Sequence, residues 1–209
     1  MKHTQKQNDL AVETTVRAWH SCLVKMRDAH RLKAEADALL ETTGLMAILA
    51  NYGEVYPTGS YLYDLMTWRD LDLCVATEAP DVASAFRLGA EIAANPLVGA
   101  MYFRNEFVLK TEGNPEAMFL CVEYFPPKGG KWKVDILIST PDVVDRVLQP
   151  GRDLLARITA ETRRAILQIK SALTTRPEYR REYGSREIYR AVLDDGVRNL
   201  EQWKMWLEK

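Results

Sequence analysis

Asp70-Leu71-Asp72-Leu73-Cys74-Val75-Ala76 alternates acidic and apolar residues and then becomes wholly apolar. On an extended strand, side chains two residues apart share a face, so Asp70 and Asp72 stand together while Leu71 and Leu73 enter a core. Two carboxylates held this close repel, and the ways out are protonation, a basic partner or a bound cation. A hard, oxygen-ligated ion such as Mg²⁺ suits such a pair best.

Two further stretches bear on that pair. In Trp132-Lys133-Val134-Asp135-Ile136-Leu137-Ile138, Trp132, Val134, Ile136 and Ile138 mark one apolar side, so Asp135 faces away from it, as a cleft residue would. Upstream, Pro57-Thr58-Gly59-Ser60 is a small-residue turn that is expected to open a short helix over 61–67. A Gly-Ser turn at a helix start leaves backbone N–H groups free to cradle an anion. Arg69, next to Asp70, either neutralises a phosphate or tethers an acid at the strand edge. Lys133 is placed to reach a triphosphate, whereas Lys131 reads as a solvated hairpin residue.

The remaining pattern divides the chain into three parts: N-terminal helices over 1–53, an α+β body with a mixed sheet over 54–150, and a helical segment over 151–209. Val12, Val16, Trp19, Leu23 and Met26 recur at helical steps over 9–26, and Leu32, Ala36, Leu39 and Leu40 continue that pattern. His20 and His30 have no partner at metal-ligand spacing and read as packed or surface residues. Strands are predicted at 54–56, 70–76, 97–109, 117–125 and 132–138, with a helix after Pro80-Asp81 carrying Val82, Phe86, Gly89 and Ile92. Thr140-Pro141 opens another helix. From Gly151, Leu155, Ile158, Ile166, Ile169 and Leu173 form one stripe interrupted only by Thr162. Thr174 to Gly184 is a polar connection, Ser185 caps a helix to Leu193, and Val197, Leu200, Trp203 and Leu207 mark a last one. Tyr179, Arg180, Arg181, Tyr183 and Arg190 make this end basic and aromatic.

With 209 residues, 47% of them hydrophobic, 27% charged and a formal net charge of −1, the chain matches an ordinary globular protein and not a general nucleic-acid binder. The charge is uneven: residues 1–150 hold 15 Lys/Arg against 20 Asp/Glu (−5), and residues 151–209 hold 13 against 9 (+4). A basic end either embraces a triphosphate or pairs with the acidic body. Cys22, Cys74 and Cys121 are odd in number and lack metal-type spacing, which suits reduced thiols in a cytoplasm. No targeting segment or membrane span is expected.

Gly59-Ser60, nine intervening residues and Asp70-Leu71-Asp72-Leu73 together resemble the signature of the DNA polymerase beta-like nucleotidyltransferase superfamily. Asp135 resembles its third carboxylate. The resemblance implies a nucleotidyltransferase fold and transfer of a nucleoside monophosphate from an NTP, ATP being the expected donor, to a hydroxyl of a small molecule or protein. It implies that Asp70, Asp72 and Asp135 hold two Mg²⁺ ions, with Mn²⁺ as a substitute, and that Asp135 helps deprotonate the attacking hydroxyl. Gly59, Ser60, Arg69 and Lys133 are the implied nucleotide contacts. Many small bacterial members carry an arginine after the Gly-Ser pair and a serine before the first Asp, where this chain has Tyr61-Leu62-Tyr63 and Trp68-Arg69. The expected partners are the nucleotide and its acceptor, with a homodimer allowed; the absence of overall basic charge argues against nucleic acid. The alternative is the same fold kept as a binding or regulatory module, such as a toxin-neutralising partner.

Overall fold

A computed structural model of the chain describes residues 25–209. The helix expected from Val12, Val16, Trp19 and Leu23 lies outside those residues apart from its end, as do His20 and Cys22. Contacts divide the described residues into two compact units: Leu32–Arg157, and Ile158–Lys209 with the residues before Leu32.

The first unit is α+β. Its elements are helices α1 (residues 25–43, from Leu32 onward in this unit) and α2 (Leu45–Ala50), strand β1 (Glu54–Thr58), a single turn α3 (Gly59–Leu62), strand β2 (Asp70–Ala76) and helix α4 (Val82–Ala93). Strand β3 (Val98–Asn105), a turn α5 (Glu106–Leu109), strands β4 (Met118–Tyr124) and β5 (Trp132–Ser139) and helix α6 (Pro141–Arg157) follow. The five strands lie in the order β1-β2-β5-β4-β3. β2 and β5 run parallel and the other pairings are antiparallel, so the sheet is mixed, as expected.

Alternation along the strands gives the sheet two unlike faces. Leu71, Leu73 and Val75 of β2, Val134, Ile136 and Ile138 of β5, and Leu120, Val122 and Tyr124 of β4 enter one core with Leu32, Ala36 and Leu39 of α1, Leu45 and Leu49 of α2, and Ala85, Leu88 and Ile92 of α4. On the opposite face Cys74, Ala76 and Leu137 pack under Val144 and Leu148 of α6. Those contacts lie at the later ends of β2 and β5. The earlier ends, where Asp70, Asp72, Lys133 and Asp135 sit, form a polar half of the same face.

Several local expectations change. The helix predicted over 61–67 is only Gly59–Leu62, because Asp64 turns left-handed (φ 55°) and Leu65 and Met66 are drawn into the core. The strand predicted to reach 109 stops at Asn105, whose side chain accepts from Phe107 N–H and starts a helical turn. α4 turns Ala85, Leu88, Gly89 and Ile92 inward, leaving Val82 and Phe86 exposed, with Phe86 against Phe103 at 4.8 Å between ring centres. α6 runs through Pro150 to Arg157, so no new helix starts at Gly151. The break falls instead at Thr159, which caps α7.

The second unit is helical: α7 (Ala160–Leu173), α8 (Ser185–Leu193) and α9 (Leu200–Leu207) pack around Ile166, Ile169, Ile188, Val192 and Trp203. Thr162, the polar member of the α7 stripe, completes a capping box with Thr159. Tyr183 is buried edge-on to Trp203 at 5.5 Å. Lys170 is fully buried on α7 and donates to Tyr189 Oη at 3.3 Å.

Candidate active site

Parallel pairing of β2 with β5 brings the sequence-predicted acids together. The register sets Asp70 opposite Lys133 and Asp72 opposite Asp135. Residues opposite one another on neighbouring strands share a face, so three carboxylates and one ammonium form a two-by-two patch at the start of both strands. On the next strand Cys121 lies opposite Asp135 and Glu123 opposite Lys133.

The patch is hydrogen-bonded from several sides. Asp70 is nearly buried; its Oδ2 accepts from the Trp68 indole N–H at 3.2 Å and its Oδ1 from Lys133 Nζ at 3.4 Å. Lys133 Nζ also bonds Asp135 Oδ2. Burial by itself would lower the Lys133 pKa, but the hydrogen bond to Asp135 and the charges of Asp70 and Asp135 outweigh it, so the amine titrates above its ordinary range. Burial, followed by the bond to Asp135, pushes the Cys121 thiol up to about 11, while burial and the Asp72 charge push Cys74 to about 12. Cys74 is buried in the sheet, whereas Cys121 is only half-buried beside Asp135, and both thiols are held protonated near neutral pH.

Gly59 opens the side facing β1. Thr58 lies opposite Asp72 in the antiparallel β1-β2 ladder, and Gly59 follows at φ +64°. A Cβ at 59 would overlap the Asp72 carboxylate, so only glycine lets the turn close over that acid. Ser60 follows, half-buried, in the first turn of α3. Tyr61 anchors this turn to α1 by donating to Asp37 Oδ1 at 2.6 Å, beneath Lys33 at 3.9 Å from its ring centre. Burial and that bond raise the Tyr61 hydroxyl to about 12.

Arg69 is not brought to the patch. Lying one residue before Asp70, it turns toward α1, where its Nε and Nη2 both donate to Glu35 Oε2 at 2.9 Å. Of the two sequence readings, the structure contains the acid tether. Sequence reasoning missed Trp68 and Cys121 as neighbours of the aspartates. Trp68 has a readable signal, since it is two residues from Asp70; Cys121 has none, because only the β4-β5 register places it.

Carboxylate oxygens are the donors that hard divalent cations take. Among the described residues no three His, Cys, Asp or Glu side chains close on one point as metal ligands do. The Lys133 ammonium instead bridges Asp70 and Asp135. The donor chemistry fits a cation, with Lys133 standing in the gap. A separate cavity of about 340 Å³ lies at the far end of β2, lined by Asn51, Tyr52, Thr77, Asp81, Ser84 and Arg87 among others, and no predicted site residue touches it.

No protein-family model matches the chain, and no curated protein matches it. Solved structures do. The GLD-2/RNP-8 complex aligns with a TM-score of 0.53 at 12% identity over 81% of this chain and 63% of that one. The Cid1 poly(U) polymerase with MgGTP bound aligns at TM-score 0.49, 18% identity, 67% of this chain and 42% of its own. A cytoplasmic RNA terminal U-transferase aligns at 0.46, 16%, 70% and 45%. The chain thus spans less than two thirds of each of these proteins. Together with the mixed five-stranded sheet, the likeness to the first of these structures shows a nucleotidyltransferase fold. The expectation against a nucleic-acid partner finds no support here. No helix among the described residues is long and apolar enough to cross a membrane.

Proposed function

We propose that the chain is a divalent-cation-dependent nucleotidyltransferase. The observation that carries this reading is the β2-β5 register, which sets Asp70, Asp72 and Asp135 on one face beneath the Gly59-Ser60 turn. Asp70 and Asp72, each offering carboxylate oxygens at the mouth of β2, would hold Mg²⁺ with the triphosphate, and Asp135 would complete the acceptor side for a second ion. When bound, such ions neutralise triphosphate oxygens and lower the cost of ionising the attacking hydroxyl. The Gly59 and Ser60 backbone would face the phosphates, and Lys133 would add an ammonium. Arg69 would join them only on leaving Glu35.

The chemistry is a displacement at the α-phosphorus. A bond forms from the acceptor oxygen to phosphorus, the bond from phosphorus to the pyrophosphate oxygen breaks, and the hydroxyl proton passes to a carboxylate oxygen of Asp135. Because two of the solved structures above are named as a poly(U) polymerase and an RNA terminal U-transferase, an RNA 3′ hydroxyl belongs among the acceptors to test beside small molecules and proteins.

The test is calorimetric titration with ATP and the other NTPs, with and without Mg²⁺, followed by transfer from labelled NTPs onto RNA oligonucleotides, small hydroxyl compounds and proteins. Tight binding that needs Mg²⁺ and is lost in Asp70→Ala/Asp72→Ala is expected. Equal binding to wild type and that variant would overturn the reading.

A further inference from the structure

Three acids and one base share the patch on β2 and β5, so with all four ionised it carries a net charge of −2. The single base is in contact with two of the acids. Lys133 starts from β5, in register with Asp70 across the parallel ladder, and its Nζ bonds both Asp70 Oδ1 on β2 and Asp135 Oδ2 on its own strand. Asp70 is held on its other oxygen by Trp68, so it cannot swing away to follow a different partner without losing the indole bond. The Lys133 side chain keeps 31% of its surface exposed, which leaves it a path out of the patch.

We propose that Lys133 is the resident counter-ion of the aspartates: its ammonium occupies the gap between Asp70 and Asp135 until a divalent cation displaces it, so that cation entry and lysine release are one event. This rests on the reading of the aspartates as cation ligands. A cation that must expel an ammonium binds more weakly than it would to the same carboxylates alone, by the free energy of the contacts it breaks. In return, the patch never stands as three uncompensated charges before the cation arrives. The released ammonium remains tethered beside the site, where an anionic triphosphate would meet it.

The test uses the full chain and Mn²⁺ alone, followed by calorimetry or by the spin resonance of free Mn²⁺. Lys133→Met removes the charge and keeps most of the stem, so Mn²⁺ is expected to bind about tenfold more tightly, the order of effect of one unit charge ~4 Å away in a well-solvated site. Lys133→Arg keeps the charge and is expected to show no gain. In the wild type, acetylation of the Lys133 amine, read by mass spectrometry, is expected to rise on adding Mn²⁺, and this decides the matter if Lys133→Met does not fold. Unchanged or weaker Mn²⁺ binding by a folded Lys133→Met, no Mn²⁺ binding by either protein, or Lys133 labelling that stays level or falls at saturating Mn²⁺ would overturn the proposal. The functional reading fails separately, through nucleotide binding that survives Asp70→Ala/Asp72→Ala.

Discussion

The carboxylate of Asp72 fills the space in which any side chain at position 59 would begin, and Gly59 meets it with a left-handed backbone at φ +64°. An alanine there faces both a conformational penalty of roughly 1–2 kcal/mol and a collision with a carboxylate assigned to the site. Gly59→Ala is expected to fold with a melting temperature lower by about 2–8 °C, from ~2–4 °C per kcal/mol at this chain length. It is also expected to lose most nucleotide affinity in calorimetry. A variant with wild-type affinity would show that the turn does not shape the nucleotide site.

The two ends of the carboxylate set are expected to separate binding from chemistry. Asp72→Asn keeps the shape and removes a cation ligand, and is expected to weaken Mg²⁺-dependent NTP binding by at least about 100-fold, the upper range seen even for outer-shell changes. Asp135→Asn is expected to lower the transfer rate by about 10²–10⁴-fold, the scale of a lost general base, with a smaller change in NTP affinity. Calorimetry and a labelled-transfer assay on each variant distinguish the two.

Arg69 and Glu35 form a part-exposed pair, with 27% and 28% of their side chains accessible. A double-mutant cycle with Arg69→Ala and Glu35→Gln in denaturant unfolding is expected to give a coupling of about 0.2–1 kcal/mol, the range for such pairs after solvent screening. Nucleotide affinity is expected to move little. A loss of more than tenfold in Arg69→Ala alone would mean the pair opens to reach a phosphate.

Glu106 is buried at the end of β3 and accepts from Thr111 N–H, Thr111 Oγ1, Asn114 Nδ2 and Arg104 Nε. The Thr111 backbone bond leads in holding its pKa below the ordinary value; burial opposes it, and Thr111 Oγ1, Arg104 and Asn114 add to the lowering. Its folded pKa lies below its unfolded one, so its stabilisation is full above the unfolded value and is lost as pH falls through the folded one. Glu106→Gln is expected to remove part of the acid-side slope of melting temperature against pH and to make the 110–114 loop easier to cleave by protease.

The thiols offer a chemical check on the sheet. With Cys121 at about 11 and Cys74 at about 12, both stay protonated at pH 7.5, and iodoacetamide labelling of their peptides is expected to be slow until the protein unfolds. Fast labelling of Cys121 in the native chain would mean that its contact with Asp135 is absent.

Much of this arrangement was readable along the chain. Alternation in 70–76 and 132–138 placed Asp70, Asp72 and Asp135 on faces opposite the apolar core, because side chains on a strand repeat every two residues whatever the strand's neighbours. The Gly-Ser turn ahead of β2 and the helix after Pro80-Asp81 were legible for the same local reason, a backbone preference with a nearby cap. Helix ends were read less well. Thr162 reads as a polar fault in a stripe because its role, a reciprocal cap with Thr159, depends on a break at 158–159 that a stripe running from Leu155 to Leu173 hides.

What the sequence determined by itself is therefore the approximate course of the strands and longer helices, the inward faces of the strands, and the three acids on the side of β2 and β5 away from the main core. What only the tertiary structure decided is which residues those acids meet. The parallel pairing of β2 with β5 joins positions more than sixty residues apart, and nothing local specifies its register, yet that register makes Lys133 the partner of Asp70 and Asp135. The packing of α1 likewise decides that Arg69 answers Glu35 and not the patch. Electrostatic partners are chosen by distance through space, over a few ångströms, and the order of residues along a chain does not contain that distance until the sheet has closed.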